Sequence, residues 1–577
     1  MKSKNWLISL GLAVILVVAF ALPACEPTEE SGWYTSDGQR LSFELTTPNY
    51  SPLNSMGIMI AQDLQDVGLD VSPQEMEPTT FIGRLYYPHE TPSLEMFIYG
   101  EAPSLPPWSD WIWVLMMDPE GWGAEWNPFW YQDDRYDELG MGIYYAANLT
   151  ERHDMLYELQ EILAEDLPAI FLVNPSHIAA YRTDEWTGWT MMLDGPVSWI
   201  NPHSIMEVEA VGEADTLNIG FQAMMPSTVM LRETIAYTNW GCLYLWLVYD
   251  QLAGMHKAPI GEEEQAYEWV YRLAENITIT WEDEGDGWDG PTQVWTVDLR
   301  EGMKWHDYDT SGKNLTADDV LFTFLYVHTP WWTTKPLNWT AVEANDYEVL
   351  PEHWHMEKVN DYQIRFWYPE EEAISEAYAP DWVMWDNIVP KHIFEEHVDN
   401  IEEFPNTESV GTGPYKMHEF EEDSHMHLKI NQDYWGDKPN AENVIFRLYT
   451  TGELMFGALK SGEIDATGDE SLPWQRIAEF EAVAGMEVEV VGGDSVWYLG
   501  FNLYPEGLLQ DKALRQSIAH AIDKEALLEM LFGDYGTTSD SWMYTGIPDH
   551  NPDLPQYELS AAMFKSVVEG AGYYYVE

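Results

Sequence analysis

The run Trp295–Asp307, with the sequence WTVDLREGMKWHD, carries the strongest indication of how this chain folds. The acidic, glycine-rich segment Glu282–Gly290 before it is typical of a hairpin loop between two strands. Asp307, at the end of the run, is typical of a turn residue that ends a strand. We therefore interpret His306 in this run, and His392 farther along the chain, as structural residues rather than as a site.

A second run, Val410–Tyr415 (VGTGPY), supports the same interpretation. Gly411 and Gly413 permit backbone conformations that are denied to other residues, and Pro414 stiffens the turn. Further short runs accompany these two along the chain: Leu315–Val320 (LTADDV), Val389–Phe394 (VPKHIF), Asp433–Gly436 (DYWG), Ser461–Asp465 (SGEID) and Arg515–Asp523 (RQSIAHAID).

In their order and spacing over residues 214–577, these runs together resemble the family 5 solute-binding proteins, the dipeptide- and oligopeptide-binding group of ABC transporters. The resemblance implies an α/β chain with a two-lobed, periplasmic-binding-protein-like fold of type II and one extra subdomain. It also implies that a solute, a peptide or another small organic molecule, binds in the cleft between the lobes. Binding would stabilise a closed form that the permease of an ABC importer and its ATPase recognise.

The sequence does not indicate an enzyme. It has no nucleophile elbow, no His-Glu-x-x-His zinc run, no P-loop and no context for a catalytic cysteine. Carboxylate pairs are so frequent in this acidic chain that they indicate nothing. We expect no cofactor, no bound metal and a monomer. The alternative function is a surface lipoprotein outside transport that uses the same fold for binding or sensing.

The order of the segments differs from that of the family. Residues 33–208 resemble the family's last third, and residues 214–577 resemble its first two thirds. The simplest interpretation is a circular permutation in which residues 206–215 connect the family's termini. It predicts that residues near 577 lie beside residues near 33. A tandem pair with both copies truncated, or a misassembled gene, is the alternative, although no segment is duplicated and little is missing.

The permuted order predicts which segments build each lobe. The division is a signal peptide at 1–25, a tether at 26–32, the second lobe at 33–177 and 493–577, the first lobe at 178–258 and 403–492, and the extra subdomain at 259–402.

The first residues are typical of a targeting segment. Lys2 and Lys4 precede the apolar run Leu7–Leu22, and the following LPAC resembles a bacterial lipobox whose cysteine, Cys25, is lipidated. The sequence thus predicts an extracytoplasmic protein held at the cell membrane by lipid. The alternative is a plain anchor helix, but the apolar run is shorter than the about 20 residues that span a bilayer. With Cys25 lipidated, Cys242 has no partner for an intramolecular disulfide.

The net charge excludes several classes of partner. Lys and Arg number 27 and Asp and Glu number 99, which gives −72. No basic stripe is available to neutralise nucleic acid or to bind an anionic lipid surface. The excess of acid indicates either a receptor for cationic solutes or, as we prefer, a solvated surface suited to a salty or acidic habitat.

Two aromatic segments form the candidate ligand site that the resemblance implies. One is the strand Ser495-Val496-Trp497-Tyr498, which offers backbone groups and aromatic faces, and the other runs from Glu101 to Trp113. Peptide binders of the family carry an aspartate for the ligand's ammonium group in the second segment, where Glu101 or Asp110 would have to replace it here. Their upstream arginine for a carboxylate is missing from Met96–Ile98, which argues against free peptides.

Trp108, Trp111 and Trp240 complete the candidate site. As stacking platforms they would suit sugars, aromatic ligands or cations. The alternative interpretation is that these tryptophans belong to the core.

The spacing of apolar residues predicts local structure at several points. It predicts a helix from Ser55 to Val67 with an apolar face that includes Ile58, a helix from an N-cap at Thr150 to Pro168, and a buried strand at 169–173. Near the end it predicts helices from Lys512 to Met530 and from an N-cap at Ser560 to Gly570. His425 and His427 would share one face of a strand, as would His353 and His355. For both pairs an exposed strand face is preferred to a metal site.

Overall fold

The computed structural model describes residues 31–86, 94–101, 116, 127–144, 146, 148–192, 195–198, 201–222, 239–255, 269–282, 291–328, 355–369, 387–398, 404–421, 424–468, 471–493, 495–505, 507–544 and 549–577. The predicted signal peptide, with Cys25, lies outside these ranges. None of the helices within them is both long and apolar enough to cross a membrane.

The α helices are numbered here in chain order. They are α1 Leu53–Asp66, α2 Pro78–Tyr86, α3 Asp134–Tyr144, α4 Leu149–Asp166, α5 His203–Glu207, α6 Asn239–Val248, α7 Tyr308–Ser311, α8 Ala317–Phe322, α9 Lys391–Phe394, α10 Gly452–Ser461, α11 Ile477–Glu481, α12 Lys512–Ala519, α13 Lys524–Phe532 and α14 Ala561–Gly570. Shorter turns include a π-helical turn, Thr323–His328, and the 3-10 turns Trp474–Arg476 and Leu508–Gln510.

The strands are numbered in the same way. They are β1 Gly32–Tyr34, β2 Ser42–Pro48, β3 Asp70–Met76, β4 Met96–Glu101, β5 Ala169–Pro175, β6 His177–Arg182, β7 Trp186–Thr187, β8 Glu209–Ala210, β9 Thr216–Phe221, β10 Ala253–Met255, β11 Trp269–Tyr271, β12 Ala274–Glu282, β13 Thr292–Leu299, β14 His355–Asn360, β15 Gln363–Pro369, β16 Tyr415–Glu421, β17 His425–Ile430, β18 Asn443–Leu448, β19 Ala466–Thr467, β20 Met486–Val491, β21 Val496–Phe501, β22 Gly536–Thr538 and β23 Tyr574–Val576.

A six-stranded sheet combines strands from the two ends of the chain, in the order β22-β5-β21-β4-β2-β3. β5 is buried over its first six residues, AIFLVN. A strand that is covered on both faces does not need alternating apolar and polar side chains, which explains the continuous apolar sequence AIFLV. The core around the sheet draws on residues from Trp33 to Val173 and from Val496 to Val568. The α/β character that the sequence predicts is therefore confirmed in a sheet that neither end builds alone.

Two buried arginines join these distant segments. The Nη1 of Arg152, on α4, lies 3.3 Å from the Oδ2 of Asp549, and both side chains are almost fully buried. Arg515, on α12, donates from its Nε to the carbonyl of Leu167 at 2.9 Å and from its Nη1 to the carbonyl of Leu509 at 2.6 Å. Because a buried guanidinium needs acceptors for its donors, these contacts fix the two segments relative to each other.

β1 and β23, from opposite ends of the described chain, pair antiparallel with Trp33 opposite Tyr575. Trp33 is buried, and its Nε1 donates to the carbonyl of Val67 at 2.7 Å. Gly68 leaves room for Tyr575, whose ring lies 2.6 Å from the position of a Cβ on that glycine. Residues near 577 thus lie beside residues near 33, whereas the permutation from which this was expected stays a prediction.

A seven-stranded sheet has the order β16-β17-β18-β9-β19-β6-β20, in which β18, β9 and β19 run parallel. The SGEID run connects α10 to β19. Gly462 caps the helix with a φ of 77°, and Ile464 is buried. The Oδ2 of Asp465 accepts from the backbone N–H of Asn218 at 2.7 Å. The run therefore ends a helix and fixes the register of the following strand.

Burial raises the pKa of Asp465 to about 6. Because the folded pKa lies above the unfolded value near 4, the native state binds more protons between pH 4 and 6, so this group makes the protein less stable as pH rises through that window. Asp465→Asn, which retains an acceptor oxygen for Asn218, should be more stable than the wild type at pH 7.5 by up to about 2–3 kcal/mol and lose that advantage near pH 4. Urea unfolding at both pH values measures the difference, and an equal difference at both would contradict the prediction.

A four-stranded antiparallel sheet, β12-β13-β15-β14, packs with α8 around a separate core. Residues 283–290, predicted as a hairpin loop, connect β12 to β13 and lie outside the described residues. Asp319 joins two of the sequence runs here. Its Oδ2 accepts from the N–H of Thr316 at 2.9 Å in a capping box, and its Oδ1 accepts from the N–H of Lys391 at 3.0 Å.

The VGTGPY loop lies against the last turn of α6. A Cβ on Gly411 would lie 1.9 Å from the carbonyl oxygen of Val248, and one on Gly413 would lie 2.6 Å from that of Leu247. Neither glycine is among the described residues with positive φ. The prediction that they provide unusual backbone conformations is therefore wrong, because close approach of two backbones is what excludes a side chain here.

His306 holds this loop from the other side. Its Nδ1 accepts from the N–H of Gly411 at 3.2 Å, and its Nε2 lies 3.0 Å from the carbonyl of Gly413, to which it donates in that tautomer. Burial lowers the pKa of His306 to about 3, so the ring stays neutral. The Nε2 of His392 lies 3.1 Å from the Oδ2 of Asp307. Both histidines have the structural contacts that the sequence analysis expected.

Asp250 follows α6 and contacts side chains from three other segments of the chain. Its carboxylate is fully buried and accepts from the Nε1 of Trp435 at 3.0 Å and from the Oγ1 of Thr412 at 3.1 Å. The Nη1 of Arg272 lies 3.6 Å away. Desolvation raises the pKa of Asp250, and Arg272 opposes that rise. Three sequence-distant segments thus share one buried carboxylate.

Several predicted helices occur with corrected limits. α1 spans Leu53–Asp66, but Ile58 is 57% exposed, so it does not belong to the buried face. α4 is capped by Asn148, whose side chain accepts from the N–H of Glu151, and not by Thr150. The predicted connector 206–215 includes the end of α5 and all of β8. Ser560 caps α14 as predicted.

The helix predicted from Lys512 to Met530 is two helices, α12 and α13. The carboxylate of Asp523 accepts from the N–H of Ala526 and begins the second helix. The Nδ1 of His520 lies 2.8 Å from the carbonyl of Glu558, and the N–H of Ser560 donates to the carbonyl of His520. These tertiary contacts break a run whose apolar spacing alone would continue.

Candidate functional site

The chain passes from one large sheet to the other at two places, between β5 and β6 and between β20 and β21, which are called the crossings here. β5 of the six-stranded sheet leads through Ser176 into β6 of the seven-stranded sheet, and β20 of the seven-stranded sheet is followed in the chain by β21 of the six-stranded sheet. Asn174 and Ser495 connect the two crossings, since the Nδ2 of Asn174 donates to the carbonyl of Ser495 at 3.2 Å. A Cβ on Gly493 would lie 2.2 Å from the carbonyl of Pro175, so the crossing strands touch through backbone.

The crossings determine which edges of the sheets meet. β21 runs antiparallel to both β4 and β5, so the carboxyl ends of β2, β4 and β5 share one edge. β6 runs antiparallel to β19, so the carboxyl ends of β9, β18 and β19 lie at the edge where β6 begins. Ligands of open α/β sheets bind at the carboxyl ends of parallel strands. Both sheets present that edge to the crossings, which makes the space between them the candidate site.

The predicted ligand strand lies at this edge, and its residues differ in what they can offer. Val496 and Tyr498 are fully buried, and Tyr498 packs against Phe97 and Trp542. Their side chains therefore belong to the core in this conformation. β21 also pairs with β4 and β5 on its two sides, so its backbone is occupied from Val496 onward.

Ser495 and Trp497 are the two partly exposed residues of the predicted strand. The indole of Trp497 lies across Gly100, where a Cβ would come within 2.6 Å of it, and meets Phe532 edge-on at a centroid distance of 5.2 Å. Gly100 thus provides the space that holds Trp497 at the sheet edge. One face of the ring is supported by protein in a way that suits a stacking platform.

The other predicted site residues lie at the limits of the described ranges or outside them. Glu101 ends β4 directly opposite Val496, and the structure does not describe its side chain. Trp108, Asp110 and Trp111 lie outside the described residues. Trp240 lies near the start of α6, again with a side chain that is not described.

Sequence reasoning missed the groups around the crossings. His177 begins β6 and is buried, which lowers its pKa to about 4. Gly533 lies at the end of α13, and the indole of Trp474, from the 3-10 turn Trp474–Arg476, lies 2.5 Å from the position of a Cβ on that glycine. The N–H of Ser176 donates to the carbonyl of Tyr535 at 3.2 Å. The glycine pair at 492–493 was a signal of close backbone approach that could have located this region.

Within the described ranges, no group of three or more histidine, cysteine, aspartate or glutamate side chains is arranged to hold a metal ion. His427 contacts Asn443, and His425 contacts Ser424. His353 lies outside the described residues, and the side chain of His355 is not described.

Comparison with known proteins adds a family to this geometry. Residues 268–574 match the model of the bacterial extracellular solute-binding proteins, family 5. This match covers more than half of the chain and includes the WTVDLREGMKWHD and VGTGPY runs.

Similar individual proteins include the oligopeptide-binding protein AppA of Bacillus subtilis, 24% identical over 339 residues that make up 56% of this chain and 57% of AppA. The dipeptide-binding protein of Escherichia coli is 24% identical over 304 residues, 51% of this chain and 54% of the relative. The chain thus spans about half the length of these relatives. The solved structure of B. subtilis AppA with a nonapeptide aligns with a TM-score of 0.44 at 20% identity, over 62% of this chain and 64% of that one.

Proposed function

The chain belongs to the bacterial extracellular solute-binding proteins of family 5, and from this we propose that it captures a small organic solute between two lobes and delivers it to an ABC importer. The family consists of binding proteins rather than enzymes. The proposal gives the protein an ABC permease and its ATPase as partners and no cofactor.

One observation carries the proposal. The two crossings β5–β6 and β20–β21 direct the carboxyl edges of both large sheets toward the same space. Among the described strands, these two crossings are where consecutive strands pass from one large sheet to the other. A rotation about residues 174–177 and 491–493 would change the width of that space and leave the sheets intact. A ligand that touches both edges would favour the narrower form by its difference in affinity for the two.

The proposed ligand contacts are Ser495 and the indole of Trp497, with Glu101 or Asp110 as the acidic group and Trp108, Trp111 and Trp240 as further platforms. This proposal is supported by the partly exposed, glycine-backed position of Trp497. Aromatic faces with a nearby carboxylate suit a cationic, aromatic or sugar-like solute as well as a peptide.

We further propose a lipid anchor at Cys25 and the division into lobes that the sequence predicts. The division is supported by the separate cores, since one draws on residues 33–173 and 496–568 and another on 252–388. A permuted segment order is supported by the six-stranded sheet, which alternates strands of both segments, and by the pairing of β1 with β23.

A thermal-shift screen of residues 26–577 tests the function. The panel holds dipeptides, oligopeptides, oligosaccharides, polyamines and Ni²⁺ chelates at low and high salt. A true ligand stabilises the folded protein by about 4 kcal/mol at a thousandfold excess over Kd. A shift with one class of solute is expected. The absence of a shift with every class, in protein shown to be folded and free of ligand, would contradict the proposal.

For the solute identified in this way, Trp497→Ala should weaken binding by about 10-fold or more, because the stacking face is lost. Isothermal titration calorimetry measures the affinity. Trp281→Ala is the matched control, since this tryptophan is 52% exposed on the four-stranded sheet and should leave the affinity unchanged. Equal affinities for the Trp497→Ala protein and the wild type would remove Trp497 from the site.

A further inference from the structure

The hairpin β16–β17, on the edge of the seven-stranded sheet, contains a β-bulge. Met417 pairs with Leu428 and Glu419 pairs with His427, so His418 is the extra residue between them. A bulge leaves its extra residue unpaired and turns the side chain away from the regular alternation. In this hairpin the bulge brings His418 to a histidine on the neighbouring strand.

The two imidazoles, of His418 and His427, are close and perpendicular. Their centroids are 4.8 Å apart and their planes are inclined by 86°. Histidine binds transition metals at about 2.0–2.1 Å from nitrogen, so two rings on one ion at an angle of 90–110° have centroids roughly 4.5–5.2 Å apart. The observed separation falls within that range. From sequence alone, His425 and His427 share one face of a strand, and there an exposed strand face is preferred to a metal site.

A neighbouring side chain sets the tautomer of His427. Its Nε2 lies 2.9 Å from the Oδ1 of Asn443, and an amide oxygen can only accept, so Nε2 carries the proton. The Nδ1 lone pair is then available to a cation. An outer hydrogen bond of this kind, which fixes ring and tautomer, is what metal-binding histidines ordinarily have.

Charge and access favour a cation here as well. His418 is exposed and His427 is partly exposed, so an ion can reach both rings from solvent. Glu419, opposite His427, has its Oε2 3.6 Å from the Nε2 of His425 and adds negative charge at the same face. Imidazole suits Ni²⁺, Cu²⁺ and Zn²⁺, whereas Mg²⁺ and Ca²⁺ prefer oxygen.

From this geometry we propose that His418 and His427 form a surface site for a divalent transition-metal ion, with solvent completing the coordination. The site is open, because the described residues include no third metal ligand arranged with these two. It lies on the hairpin β16–β17 at the outer edge of the seven-stranded sheet, whereas the proposed ligand contact Trp497 belongs to β21 of the six-stranded sheet.

Calorimetric titration of residues 26–577 with Ni²⁺ tests the site. The titration is run with about 10 mM Mg²⁺, which occupies the carboxylates of the acidic surface and leaves imidazole sites open. One Ni²⁺ per chain is expected to bind under these conditions. His418→Gln and His427→Gln should each weaken that binding by about 10-fold or more.

His425→Gln is the matched control, since it lies on the same strand and should bind Ni²⁺ as the wild type does. Circular dichroism verifies that each variant is folded. His418→Gln is the decisive variant, because His418 is exposed and its replacement should not disturb the fold. The proposal is overturned if His418→Gln binds Ni²⁺ as tightly as the wild type, or if His425→Gln loses as much affinity as His418→Gln.

Discussion

Asp549→Ala is expected to lower the free energy of unfolding by about 3–5 kcal/mol, because it removes the carboxylate that the buried guanidinium of Arg152 contacts. Arg152 and Asp549 are 1% and 0% exposed, and they lie 397 residues apart in the chain. The Oδ1 of Asp549 also lies 2.8 Å from the Nε2 of His153. Urea unfolding at pH 7 measures the loss.

Two control variants test whether the loss of stability in Asp549→Ala comes from the buried Arg152–Asp549 contact. Glu158→Gln, on the same helix α4, removes a half-exposed partner of Arg135 and should leave the unfolding midpoint unchanged. The double variant Arg152→Met, Asp549→Ala should be more stable than Asp549→Ala, because it also removes the buried positive charge. An Asp549→Ala protein as stable as the wild type would show that the two segments are not joined here.

Gly411→Ala is expected to cost about 3 kcal/mol or more, because its Cβ would lie 1.9 Å from the carbonyl oxygen of Val248. The loop can only move away from α6. That movement breaks the bond from the N–H of Gly413 to Val248 and the two contacts that His306 makes with the loop. The loss should appear in the urea midpoint and in faster hydrogen exchange at Gly413.

Gly457→Ala is the matched control for that substitution. Gly457 lies within α10 with no atom within 4 Å of its Cβ position. Alanine there should stabilise the protein by about 0.5–1 kcal/mol, since it has the higher helix propensity. If Gly411→Ala were as harmless as Gly457→Ala, the close contact between the loop and α6 would be absent.

Local sequence was a good guide where one periodic face determines an element. The apolar spacing within α4 places Leu156, Leu159 and Leu163 in the core, and the helix was predicted from that spacing. Its first residue was misplaced because Asn148 and Thr150 both suit a cap, and propensity alone hardly separates them. The whole series of runs, in its order and spacing over residues 214–577, was also sufficient for the family.

Local sequence was a poor guide where contacts with distant residues determine the limits of a helix or the exposure of a side chain. The break between α12 and α13 depends on Glu558 and Ser560, which lie about 40 residues beyond His520. In β21 every residue from Val496 to Phe501 except Gly500 is apolar, so no alternation shows that Trp497 lies at the edge while Tyr498 is buried. His418 and His427 come together through a bulge, which has no reliable sequence signal.

One six-stranded sheet combines strands from both ends of the chain. The proposed permutation is tested most directly by joining the segments in the order that the family resemblance predicts. In the relinked chain, residues 214–577 come first and continue through about four added residues into residues 31–208, so that β23 and β1 become a hairpin. We expect it to fold with the circular dichroism spectrum and the melting temperature of the original chain. The same chain opened instead inside β21, between Leu499 and Gly500, should not fold. A relinked chain that stays unfolded, while the chain in its original order folds, would contradict the proposal that the two ends of the chain build one lobe.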